Sequence, residues 1–297
     1  MRSVWIAALC LAWVMPALAQ PVAQPTPEEA WAREIEETNA AWATDKYAIL
    51  KIDDAVYLKP GETAWLVAAR PPAGKTAWRL EAASDPLLIV TYTKNEAVFV
   101  RDGKTASFDP EEGAEIALDA THDVRAQLTQ VAPGETGMRI FSYDQDNPIA
   151  KAFKGVSYFP YAPRYVVKAA FAPETPKPVD FQTSRGLYKR FWRVGSAQFR
   201  VDGVAATLPL YADGPEGEGG LSAFFLDETT GKESYQSGRY LDAESAGAFP
   251  PKTVTLDFNY AYNPNCARSP HYNCPYATDT LPVAIEAGER APDEPAE

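Results

Sequence analysis

Residues 197–211 read AQFRVDGVAATLPLY. Apolar and polar residues alternate through Ala197–Val201 and again through Thr207–Tyr211, and Val201-Asp202-Gly203 turns the chain between them. A period of two puts successive side chains on opposite faces, which is the pattern of a half-buried strand. Asp-Gly between two such runs supplies the backbone freedom of a tight turn. The same grammar repeats from Lys46 onward. Upstream strands are expected at Val56–Lys59, Ala64–Ala68, Trp78–Ala82, Leu87–Thr93, Ala97–Arg101, Glu115–Leu118, Met138–Tyr143 and Tyr165–Phe171. Downstream they are expected at Phe191–Val194, Leu221–Leu226, Gly238–Asp242, Val254–Tyr262 and Leu281–Ala287. Many short strands with regular turns predict an all-β fold, a sandwich or barrel of antiparallel sheets.

One segment breaks the period. Thr26-Pro27-Glu28-Glu29 joins a capping hydroxyl, a first-turn proline and acids at the positive end of a helix. Trp31, Ile35, Thr38 and Trp42 then recur at helical spacing to about Asp45. One N-terminal amphipathic helix follows, with its Trp stripe packed on the body of the fold.

Ahead of it, MRSVWIAALCLAWVMPALAQ carries Arg2, an unbroken apolar run Val4–Val14, and Ala17-Leu18-Ala19 as a small-x-small cleavage pattern. The run is too short to cross a bilayer, which takes about 20 apolar residues. It predicts a signal peptide over residues 1–19, and hence a periplasmic or secreted protein without a transmembrane anchor after cleavage. Residues 20–45 are a Pro-rich tether and the helix, 46–290 the β-domain, and 291–297 an acidic tail. The Pro-rich stretch Ala172–Pro178 is the best seam if the β-domain has two lobes, 46–172 and 178–290.

The 297 residues carry a net charge of −12, with 46% hydrophobic residues and two histidines. That balance argues for a folded chain, and against nucleic acid as a partner. His122 and His271 alone cannot make a three-histidine metal site. No G-x-S-x-G elbow, H-E-x-x-H motif or phosphate loop is present, and no cofactor or metal is expected. Asp144-Gln145-Asp146-Asn147 lacks the glycine and distal glutamate of a calcium loop and reads as a turn.

Loss of Cys10 with the signal leaves Cys266 and Cys274, with seven residues between them. In an oxidising compartment their default is a disulfide, worth about 2–3 kcal/mol in the chain-entropy account. A metal site of both cysteines with His271 and Asp279 is the alternative.

The C-terminal third contains FFLDETTGKESYQSGRYLDAE and LDFNYAYNPNCARSPHYNC. These runs resemble a mostly bacterial family catalogued as domain of unknown function 1684. In that family a D-x-T-x-G-x-E-T/S-Y-x-x-G-R-F/Y-L run precedes L-D-F-N-x-A-Y-N-P-x-C and a second cysteine. Here these are Asp227 to Leu241, Leu256 to Cys266, and Cys274. The resemblance spans roughly residues 46–290 and implies domain bounds but no activity.

Read physically, a strand Val254–Tyr262 places Asp257 and Asn259 on one face. Glu233 and Arg239 flank the turn just before it. Glu233, Arg239, Asp257, Asn259 and Tyr235 are therefore candidates for one polar cleft. Two functions fit. One is a non-catalytic exported module that binds an unknown small molecule or protein. The other is a hydrolase, acting on a sugar-containing substrate, with Glu233 or Asp257 as general base and Arg239 stabilising negative charge.

Overall fold

The computed structural model describes residues 24–68 and 75–292. The signal peptide, Cys10, the start of the tether and residues 293–297 of the acidic tail lie outside the described residues.

Helix α1, Pro27–Thr44, begins as its sequence dictates. Thr26 accepts from the Glu29 N–H, and Glu29 reaches back to the Thr26 N–H at 2.8 Å. This reciprocal capping box satisfies two donors that a helix start would otherwise leave unpaired. No residue of α1 is fully buried. The helix is held at its ends by its two tryptophans. The Trp31 indole donates to the Asn259 carbonyl at 2.9 Å, and its ring packs on Tyr158 and Tyr161. Trp42 lies 3.7 Å under the Arg268 guanidinium.

Nine strands follow: β1 Ile52–Leu58, β2 Thr63–Ala68, β3 Thr76–Arg79, β4 Leu88–Tyr92, β5 Ala97–Arg101, β6 Lys104–Phe108, β7 Ala114–Ala117, β8 His122–Ala132 and β9 Glu135–Asp144. They form two antiparallel sheets, ordered β1-β9-β8-β7 and β3-β2-β4-β5-β6. Leu58, Val124, Met138 and Ile140 of the first sheet share one core with Leu66, Trp78, Leu88 and Val90 of the second. Strands β6 and β8 were not expected. The first is exposed along most of its length, so no alternation marks it.

A short helix α2, Pro148–Ala152, capped by Asn147, leads to the second group of strands. These are β10 Val166–Gln182, β11 Tyr188–Val201, β12 Val204–Ala212, β13 Leu221–Leu226, β14 Arg239–Ser245, β15 Thr253–Asp257 and β16 Asp279–Thr280. Their order is β12-β11-β10-β15-β14-β13, and β13 returns to β12, which closes a six-stranded antiparallel barrel. The very short β16 adds in parallel to β13. Phe171, Phe199, Leu208, Leu210, Phe225, Leu256 and Phe258 help to fill its core.

Three expectations are corrected. The stretch Ala172–Pro178 is no linker: it lies inside β10, which pairs with β11 on both sides of it. The register slips between Pro173 and Lys177, and β15 pairs with β10 only as far as Ala170. Prolines fit there because a bulge and an unpaired edge need no N–H. Phe191–Val194 and Ala197–Val201 are one strand, β11, shifted in register beside Gly195. A Cβ at Gly195 would sit 2.5 Å from the Phe171 ring, so the close crossing demands glycine. Finally, Val254–Tyr262 ends as a strand at Asp257, whose carboxylate accepts the Asn259 N–H at 3.0 Å and starts a 3-10 turn, Phe258–Tyr260.

The docking of α1 generates a prediction. A chain beginning at Lys46 should melt lower by at least about 2–4 °C, the shift that ~1 kcal/mol produces in a domain of 150–250 residues. An unchanged melting curve would show that the two tryptophans contribute nothing to the body of the fold.

Candidate functional site

Asp257 lines a cleft of about 470 Å³ between α1 and the barrel. Its position follows from the strand register. Glu244 pairs with Thr255, and the next pairing is the bridge between Tyr240 and Tyr262. Between those points β14 and the chain after β15 part, and the 3-10 turn takes up the extra length. Asp242 and Glu244 come to one side of the gap, with Asp257, Tyr260 and Tyr262 on the other. Helix α1 supplies Glu34, Ile35, Thr38 and Trp42, and Tyr158, Asn265 and Arg268 complete the wall.

The cleft is electronegative. Among the described residues Glu34, Asp242, Glu244 and Asp257 make no ion pair. Arg268 is the one basic residue in the wall, and it is committed to the buried carboxylate of Glu289. Asp242 accepts from the Ser222 hydroxyl at 2.7 Å. The Tyr260 phenol is pushed up to about 12, by burial first and then by the Glu34 and Asp257 carboxylates. Tyr262 is raised by burial and by Asp242. Anionic phenolates are disfavoured in such a field, and a cation is favoured.

The structure divides the sequence candidates. Asp257 and Asn259 are together: the Asn259 amide donates to Asp257 Oδ1 at 2.8 Å. Asn259 is 1% exposed and clamps Ala162 from both sides, accepting its N–H at 2.9 Å and donating to its carbonyl at 3.1 Å. Its role is to join the 3-10 turn to the chain before β10. Glu233 is exposed on the turn between β13 and β14 and lines no part of the cleft. Tyr235 is half-buried on the same turn and also lines no part of the cleft.

Arg239 is also elsewhere. It is 1% exposed and pairs with Asp227 at 2.8 Å, inside the barrel end. Its guanidinium donates to the carbonyls of Ile285, at 2.9 Å, and Ala287. Asp227 accepts the Ile285 N–H at 2.9 Å and the Thr229 hydroxyl at 2.7 Å. Leu281–Ala287 thus has the expected alternation, with Leu281, Val283, Ile285 and Ala287 buried. Past Thr280 it belongs to no ladder, and side chains supply hydrogen bonds that a neighbouring strand would have given.

Cys266 and Cys274 are free thiols, and the Cys266 N–H donates to Cys274 Sγ at 3.2 Å. The two other residues of the alternative metal set point away. His271 Nδ1 faces Asp54 at 3.4 Å, and Asp279 accepts from the Tyr211 hydroxyl at 2.9 Å. Among the described residues no group of three or more His, Cys, Asp or Glu side chains is placed to hold a metal ion. Asp144–Asn147 is a turn in which Asp146 pairs with Lys151 at 2.7 Å.

Sequence reading missed Asp242, Glu244, Glu34, Tyr260 and Tyr262. A faint signal existed in Asp242 and Glu244, two acids at i, i+2 on one strand face. Nothing local tied them to a helix two hundred residues earlier.

A closed antiparallel barrel plugged by an extended C-terminal segment, with a carboxylate-lined cleft on its flank, defines the class of protein. Residues 151–290 belong to the family described as a protein of unknown function, DUF1684. A solved structure, the solution NMR structure of the uncharacterized protein from gene locus rrnAC0354 of Haloarcula marismortui, is 36% identical. It covers 48% of this chain and 79% of its own, with a TM-score of 0.41. No curated protein matches the chain.

The buried pair gives the second prediction. Arg239→Ala should cost about 3–5 kcal/mol in urea unfolding, because it strands the Asp227 charge and two carbonyls in the barrel end. Glu233→Ala, on the exposed turn, should stay within about 0.5 kcal/mol.

Proposed function

We propose that the protein is an exported, non-catalytic binding module that holds a small organic cation in the cleft between α1 and the barrel. The observation that carries this is the set of four carboxylates without a basic partner, beside tyrosine rings. Four acids gathered in one cleft repel one another, and an ammonium or guanidinium relieves that repulsion. Tyr158, Tyr260 and Tyr262 offer ring faces that attract the same charge. The volume of about 470 Å³ falls in the range of small-molecule sites. No helix among the described residues is long and apolar enough to cross a membrane. Export rests on the leader in residues 1–19, and the compartment it leads to would oxidise Cys266 and Cys274 to a disulfide.

The hydrolase reading keeps one support. Asp242 and Asp257 face the same opening, and two carboxylates across a cleft are the equipment of glycoside cleavage. In that reading the pair is Asp242 with Asp257, in place of Glu233.

Calorimetric titration with a polyamine, a quaternary ammonium compound and a neutral oligosaccharide tests the choice. The amines should bind, more weakly as salt is raised. The double variant Asp242→Asn, Glu244→Gln should lose at least about tenfold in affinity, some 1.4 kcal/mol, while its melting temperature holds or rises. Binding or cleavage of the oligosaccharide, with none of the amines, would overturn the cation reading in favour of the hydrolase.

Export has its own check. Intact mass of protein secreted from a native-type host should lack residues 1–19 and begin at Gln20. Full-length chain retained in the membrane fraction would contradict it.

A further inference from the structure

Acids outnumber bases in this chain, 40 to 28, so an arginine readily finds a carboxylate. Arg125, Arg164, Arg190, Arg193, Arg239 and Arg268 each have one. Three that do not, Arg79, Arg139 and Arg185, come together where the two groups of strands meet. Among the described residues they donate to neutral oxygens instead: the Trp78 carbonyl at 3.0 Å, the Gln127 side chain at 2.9 Å and the Pro270 carbonyl at 2.9 Å. Tyr57 links two of them. It stands opposite Arg139 in the β1–β9 register, and the Arg185 guanidinium lies 5.3 Å over its ring. The ring is itself fixed, because its hydroxyl donates to the His271 carbonyl at 3.0 Å.

Arg79 and Arg185 line one cleft of about 480 Å³. Arg79 comes from the end of β3, Arg185 from the loop between β10 and β11, and β1 supplies Tyr57 and Asp54. Asp54 is the one acid in this wall, and its carboxylate is already in use. It accepts the Ala55 N–H at 2.8 Å and the Trp78 N–H at 2.7 Å, and it faces His271 Nδ1 at 3.4 Å. Both arginines are exposed, and most of their N–H donors remain for a ligand. A planar guanidinium held on a ring or a carbonyl keeps its fork in place, which suits bidentate recognition of a carboxylate. Beside the charges stand Leu187 and Leu80, the latter 54% exposed.

We propose that this cleft binds a small dicarboxylate, one carboxylate on Arg79 and the other on Arg185, with its carbon spacer against Leu80, Leu187 and the Tyr57 ring. Two forks from separate elements call for two anionic heads. The exposed leucine calls for a carbon frame, because covering it removes apolar surface from water. A bare phosphate or sulfate would meet the charges and leave that surface wet. Arg139, beside Tyr57, adds a third positive charge to the local field. The volume lies in the range of small-molecule sites. This site is positive where the cleft under α1 is negative, so the inference stands apart from the cation reading.

The test is calorimetric titration of the full chain with adipate, with hexanoate as the one-headed control and inorganic phosphate as the bare anion. Adipate should bind, more weakly as salt is raised. Hexanoate should bind at least about tenfold more weakly than adipate, and Arg79→Gln and Arg185→Gln should each lower adipate affinity by at least about tenfold. Both variants should keep the melting temperature of the unsubstituted protein. Polyamine titration should give the same result in the variants as in the unsubstituted protein, which separates this site from the acidic cleft. If loss of the Arg185 bond to Pro270 loosens the loop, Arg79→Gln carries the test, since its only bond is to the carbonyl of the residue before it. Absence of adipate binding at millimolar concentration would overturn the proposal. So would an affinity that neither substitution moves, or phosphate binding as tightly as adipate, which would mark a general anion-attracting surface.

Discussion

The buried ion pair between Arg239 and Asp227 is the interaction on which the rest of this molecule leans. Taking both charges out of water costs several kcal/mol per ion, so the pair survives only because the surrounding groups are satisfied as well. They are: the guanidinium reaches two carbonyls of the C-terminal segment, and the carboxylate takes an N–H from that segment and a hydroxyl from Thr229. A hydrophobic pair of the same volume would pack, but it would leave the Ile285 and Ala287 backbone without partners in a dry interior. The pair is thus a substitute for a strand. It lets an extended segment lie across the barrel end and add Leu281, Val283, Ile285 and Ala287 to the core.

From that segment the dependence runs outward. Glu289, just beyond the plug, is buried and meets Arg268, and it also accepts the Asn263 N–H at 2.8 Å. Arg268 in turn carries Trp42 on its face, and so positions the C-terminal half of α1. The cleft exists because the helix is held at Trp31 and Trp42 and leaves a gap between. Its acids are tolerable there for the same reason that an exposed strand face tolerates like charges, since water still reaches them. Closing the helix more tightly on the barrel would desolvate four carboxylates with no cation to meet them.

The cleft takes one wall from residues 151–290, the stretch that belongs to the family, and the other from α1, outside it.

Sequence alone determined α1 and many of the strands, though not β6 or β8. The capping hydroxyl of Thr26, the Asp-Gly turn at Asp202-Gly203 and the apolar runs Ala97–Arg101 and Leu221–Leu226 are local facts, and each element stands where the sequence puts it. Alternation even identified Leu281–Ala287 as a segment with one buried face. What periodicity cannot carry is the identity of a partner. Arg239 and Glu233 look like natural neighbours along the chain, yet Arg239 turns inward to Asp227 because only there are carbonyls waiting to be satisfied. Asp257 was placed on a strand face with Asn259, but its carboxylate is better used capping the turn that ends the strand. The prolines of Ala172–Pro178 resembled a linker, since nothing in a single sequence shows that this part of the strand has a free edge and a bulge. Such choices are decided by which buried polar groups lack a bond once the barrel has closed, and only the tertiary structure decides that.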